Sequence, residues 1–191
     1  MPTVNNIKKT MRKKSIPADL MEQFEFPKPN KNQIGEVLSL INQMDKLLTR
    51  EQCLTIMEEQ GCSKTEKFTA PFRDFAQTHA GKTVEEKIPL MSALNASQNI
   101  TCNLNPDGTL SFYWGFGQGN KYHCICRKVN HWEKQGWQPD ISNTFCGCCA
   151  GHVRHSYQIA LGVQLRLKEI VSSPLDSDGK KRCEFLFEIV D

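Results

Sequence analysis

The stretch Phe145-Cys146-Gly147-Cys148-Cys149-Ala150-Gly151-His152, followed by His155, gathers the groups of this chain best suited to chemistry. Three of the nine cysteines and two of the five histidines fall within the ten residues 146–155. Thiolates and imidazoles bind metals, attack electrophiles and exchange electrons. Cys146 and Cys149 have Cys-x-x-Cys spacing, and Cys124 and Cys126 can add two sulfurs from upstream. Four thiolates suit tetrahedral zinc, which would staple the two segments together. Cys148, His152 and Cys183 are spare ligands. A zinc ribbon has two Cys-x-x-Cys knuckles and this chain has one, so the spacing suggests zinc without defining it. Two alternatives stand beside the metal. Cys146 and Cys149 could cycle between dithiol and disulfide, or Cys148 could act as nucleophile with His152, four residues on, as its base. The third reading is packing, because cysteine is among the most buried residue types.

These residues need a scaffold, and the periodicities supply one. Residues 1–33 carry Lys8, Lys9, Arg12, Lys13 and Lys14 with Pro17, Pro27 and Pro29, and read as a basic arm with at most a short helix. Residues 34–96 read as helical. Ile34, Val37, Leu38, Ile41, Met44 and Leu48 repeat at three-four spacing. Thr49 with Gln52, and Thr83 with Glu86, form capping boxes. Gly61 stops the helix between Cys53 and Cys62, two cysteines read as small buried hydrophobes. Phe68, Phe72 and Phe75 mark another helix.

From 97 to 191 the period becomes two. Ile100, Cys102 and Leu104, the turn Asn105-Pro106-Asp107-Gly108, then Leu110, Phe112 and Trp114 predict a hairpin. The glycines of 115–119 read as a bend within a sheet, because no phosphate-loop lysine follows. Lys121 to Lys128 reads as a strand with Tyr122, Cys124 and Cys126 on one face. A loop or short helix spans 129–141, and Ser142, Asn143 or Thr144 caps the cysteine helix, which Gly162 ends. At about 100° per residue, Cys146, Ala150, Val153, Tyr157, Ala160 and Leu161 form one stripe with Cys149 at its edge. Cys148, His152 and His155 share another face. A second hairpin, Val163–Lys168 and Arg182–Ile189, closes the chain. The order predicts an α+β fold: N-terminal helices, then an antiparallel sheet with the cysteine-rich helix packed on it. Residues 34–96 and 97–191 are expected to form one compact domain.

The totals exclude several classes. With 39% hydrophobic and 24% charged residues, 191 residues can bury a core without staples. No apolar run reaches spanning length and no signal-peptide core opens the chain, so a cytoplasmic setting without membrane contact is expected. The net charge of +3 resides largely in the basic arm, which makes nucleic acid the weakest partner. Trp132 and Trp137 are as well suited to covering a core edge as to stacking bases.

The closing segment, Cys149-Ala150-Gly151-His152 through Leu161-Gly162, Val163–Glu169 and Arg182-Cys183-Glu184-Phe185-Leu186-Phe187-Glu188-Ile189, resembles that of the 4-vinyl reductase domain family. These are small-molecule-binding α+β domains related to haem–nitric-oxide sensor folds. The segment is also similar to bacterial 2-aminothiazoline-4-carboxylate hydrolases. The resemblance covers roughly residues 97–191 and rests on the last forty. It implies a place for Cys183 in a cysteine cluster that binds metal or senses redox state. The helical first third and the double cysteine Cys148-Cys149 depart from the family pattern. The expected function is a small-molecule-binding or sensory domain with a cysteine-rich zinc site. The alternative is a thiol- or metal-dependent hydrolase acting on a small heterocycle or amide. A homodimer is left open.

Overall fold

The computed structural model describes residues 2–27, 33–62, 65–118, 121–134, 136 and 140–190. Trp137, with Pro29, Gly119 and Pro139, lies outside the described residues, as does the side chain of Trp132. The fold is α+β, with N-terminal helices preceding an antiparallel sheet.

Helices α1 (Val4–Lys13), α2 (Ala18–Met21), α3 (Gln33–Leu47) and α4 (Arg50–Met57) come first, and a 3-10 turn at Glu58–Gln60 extends α4. The basic arm begins as a full helix. Thr3 caps α1 by accepting from the Asn6 N–H at 3.1 Å, and Val4, Ile7 and Met11 are buried. The lysines and arginines occupy its outer face while this apolar stripe docks onto α3 and α4. Gln43 then clamps the returning chain, accepting from the Glu25 N–H and donating to its carbonyl.

Helices α5 (Glu66–Thr78), α6 (Val84–Leu90) and α7 (Ser92–Gln98) lead to the sheet. Both expected capping boxes are present, at Thr49/Gln52 and Thr83/Glu86. The helix that Thr83 caps ends at Leu90, and α7 begins after Met91.

Strands β1 (Ile100–Leu104) and β2 (Leu110–Trp114) form the expected hairpin, with Leu104 opposite Leu110. The ribbon β3 (Phe116–Gln118) and β4 (Lys121–His123) follows, then α8 (Arg127–Lys134). Here the structure corrects the sequence reading. The strand expected to run to Lys128 ends at His123, and Cys124 and Cys126 lie beyond it, so they do not share a strand face. Cys126 instead starts α8: its carbonyl accepts from the Asn130 N–H at 3.1 Å, as an N-cap carbonyl does.

Ser142 caps a 3-10 turn, Asn143–Cys146, that leads directly into α9 (Gly147–Leu161), which Gly162 ends in the left-handed region. The last strands, β5 (Gln164–Ser172) and β6 (Cys183–Val190), complete a sheet of order β1-β2-β6-β5. Register shifts in β5 after Leu167 and after Ile170 move the buried positions from Leu165 and Leu167 to Ile170 and Ser172.

Helix α9 separates two cores. Its stripe of Cys146, Cys149, Ala150, Val153, Tyr157, Ala160 and Leu161 packs on the sheet, as expected. Tyr157 meets Phe112 edge-on at 4.6 Å, and its hydroxyl donates to Asn95 at 2.7 Å. Phe145 and Cys148 belong to the second core, with α1, α3 and α4.

The approach of α9 to the end of α4 is close. A Cβ at Gly147 would stand 2.7 Å from the Met57 Cβ, and one at Gly61 2.8 Å from the Gly151 carbonyl carbon. One at Gly151 would run into the Glu58 backbone carbonyl. Beside this contact the buried Glu58 carboxylate meets Arg154 at 2.6 Å and accepts the outward-pointing Leu167 N–H at 2.9 Å. Burial pushes the Glu58 carboxyl up, against the pull of Arg154.

Two stability outcomes follow, both measured by thermal and denaturant unfolding. Gly151→Ala is expected to destabilise the protein by about 1–3 kcal/mol, because the obstacle is backbone and cannot rotate away. Arg154→Met is expected to cost about 3 kcal/mol, because it leaves a buried carboxylate without its cation.

Candidate functional site

The lateral face of α9 opens on a cavity of about 700 Å³. Its wall includes Trp114, Ile125 and Phe145, the side chain of His152, and four cysteines: Cys62, Cys126, Cys148 and Cys149. Lys128 and His131 of α8 also border it.

Three elements fix the aromatic wall. His152 of α9 stacks on Trp114 of β2 at 5.5 Å and 16°, and meets Phe68 of α5 at 4.6 Å. The imidazole is therefore held in a column of rings. The Trp114 Nε1–H is buried with no hydrogen-bond acceptor among the described residues.

The thiols are arranged in two pairs, each with one cysteine of α9. Cys148 donates toward Cys62, and its sulfur also lies 3.2 Å from the Gln60 carbonyl. Cys149 donates toward Cys126. In each pair the α9 thiol is buried and its partner half-buried. The S–H donated by Cys148 lowers the Cys62 thiol to about 6, and the Cys148 thiol is pushed far up by making that bond and by burial. Cys126 is lowered by the Cys149 S–H and further by the Val129 and Lys128 N–H groups at the start of α8. Cys62 and Cys126 are thus the cavity thiols most readily ionised. Cys148 and His152, read from the sequence as nucleophile and base, border the same cavity.

The expected zinc set is gathered but not converged. Burial raises the thiols of Cys124 and Cys183, and the nearby Cys146 raises both further. Cys146, pushed up to about 12 by burial, accepts from the Ser173 hydroxyl, while Cys149 turns to Cys126. Among the described residues no group of three or more His, Cys, Asp or Glu side chains is placed to hold one metal ion. The physical reason is local. Cys124 and Cys126 lie in the turn from β4 to α8, so they face different partners.

Sequence reading missed Cys62, taken as a packing cysteine, and Trp114, taken only as a strand residue. Cys62 follows a glycine-ended helix without any motif, and only the Gly61–Gly151 contact brings it to Cys148.

No protein-family model matches the chain, and no curated protein does. Among solved structures it is similar to the NMR structure of a mutant H-NOX domain from Shewanella oneidensis in its Fe(II)CO state. That match has 10% identity and a TM-score of 0.36, and covers 100% of this chain and 99% of that one. A crystal structure of an H-NOX protein from S. oneidensis in its Fe(II)NO state matches with 11% identity, a TM-score of 0.32, and 98% and 89% coverage. Likeness at this level carries no argument about ligand or chemistry. Among the described residues no helix is long and apolar enough to cross a membrane.

Peptide-resolved alkylation with iodoacetamide checks the thiol assignment. The Cys62 rate is expected to reach half its maximum near pH 6, because the thiolate is the reactive form. Cys148→Ala removes the donor and should move that half-point up toward the ordinary thiol value.

Proposed function

We propose that this protein is a small-molecule-binding domain whose ligand occupies the thiol-lined cavity beside α9. The observation that carries the reading is the cavity itself. It is large enough for a drug-sized molecule, mostly apolar, and bordered by a few convergent polar groups. The Trp114–His152 column supplies a flat wall. A planar, largely apolar molecule fits these features.

The fluorescent probe 8-anilinonaphthalene-1-sulfonate tests this. The folded protein is expected to bind one equivalent saturably, and Ile125→Trp, which fills the cavity, to weaken binding roughly tenfold. Absence of saturable binding, or unchanged binding in the filled variant, removes the reading.

A thiol-bound zinc ion on Cys124, Cys126, Cys146 and Cys149 is the finer form of the proposal. Its support is the crowding of these sulfurs and the backbone N–H groups directed at them. The Cys126 N–H is directed at the Cys124 sulfur, and the Val129 and Lys128 N–H groups at that of Cys126, contacts that would orient thiolate ligands. Placing four sulfurs on one ion requires the thiols to ionise, and Cys149 to give up the proton it directs toward Cys126. Protein purified without chelator is expected to carry about one equivalent of zinc on this proposal. Less than about a tenth of an equivalent, with all nine thiols titratable, overturns it.

A further inference from the structure

Cys62 and Cys148 stand outside the proposed zinc set, so their pairing calls for its own account. They are far apart in sequence and come from different elements, the end of the α4 extension and the first turn of α9. Both nevertheless border the same cavity, and the Cys148 sulfur lies 3.2 Å from the carbonyl of Gln60, two residues before Cys62. The backbone beside them is closely packed, with Gly61 against Gly151. Cys62 is half-buried and borders the cavity, which gives a reagent access to one sulfur while the other waits behind it.

We propose that Cys62 and Cys148 are a dithiol that reacts with a hydroperoxide in the cavity and closes to a disulfide linking the α4 extension to α9. In the first step the Cys62 thiolate attacks one peroxide oxygen. An S–O bond forms, the O–O bond breaks, and the departing alkoxide or hydroxide takes a proton to leave as alcohol or water. The product is a sulfenic acid at Cys62. In the second step the Cys148 sulfur attacks the Cys62 sulfur. The S–S bond forms, the S–O bond breaks, and hydroxide leaves as water with the Cys148 proton. Each sulfur gives up one electron, and the peroxide takes both.

The geometry also says which pairing should not occur. Cys148 and Cys149 are neighbours in a helix, about 100° apart around its axis, and adjacent helical side chains do not face each other. Cys149 is moreover already turned to Cys126. The inference does not depend on what ligand the cavity holds.

The test uses the full-length reduced protein treated with hydrogen peroxide, quenched with iodoacetamide and mapped by tandem mass spectrometry under non-reducing conditions. The expected product is a Cys62–Cys148 linked peptide that dithiothreitol reverses, whether or not a Cys126–Cys149 link accompanies it. In Cys148→Ser, Cys62 should become trappable by dimedone as the sulfenic acid. A Cys148–Cys149 link, a Cys148–Cys126 link, or full alkylation of Cys62 and Cys148 after other thiols have oxidised overturns the proposal. The wild-type map alone decides this, so a variant that fails to fold does not. Probe binding by the reduced protein is read separately, so that failure of the binding reading remains distinguishable.

Discussion

The structure depends on how closely α9 can approach the end of α4. Two glycines four residues apart, Gly147 and Gly151, present bare backbone along one line of α9, and Gly61 answers from the other side. Side chains there would hold the two elements apart by the width of a methyl group or more. Without that distance closed, Glu58 would not reach Arg154 and Leu167, and Cys62 would not reach Cys148. Tight packing here is the condition for the polar chemistry beside it, because buried charges and thiols gain from partners only at contact range.

Helix α9 then sorts chemistry by direction. Its sheet-facing stripe is mostly small or apolar, and burial pushes up the Cys146 thiol within it. Its lateral face carries Cys148 and His152 to the cavity, with Cys149 at the border of both. Proximity in sequence therefore says little about shared duty. Cys148 and Cys149 are neighbours in the chain but serve different partners, Cys62 and Cys126.

Much of this was legible in the sequence because local forces decide it. The Thr49/Gln52 and Thr83/Glu86 boxes, the Asn105–Gly108 turn and the Gly162 stop are each satisfied by residues within a few positions. The division of α9 into faces was equally legible, because helical geometry fixes it. Long-range placement was not. The alternation of Tyr122, Cys124 and Cys126 suggests a strand, but Cys126 is better used as the start of α8, where two N–H groups need an acceptor. The basic run of α1 hides three buried residues among its charges, and only a periodicity search across the lysines would have found them. Cys62 had no local signal at all, since its partner lies across a glycine contact formed only in the folded chain.

The Glu58 carboxylate has one more consequence, which concerns self-association. Strand β5 is the last strand of its sheet, and its outward N–H and C=O groups form a template on which another strand can pair. At Leu167 that template is already used by an acceptor from the chain's own α4 extension. A second copy could not lengthen the sheet through that rung without displacing a buried ion pair. Contact between two copies, where it occurs, is therefore directed away from the middle of β5.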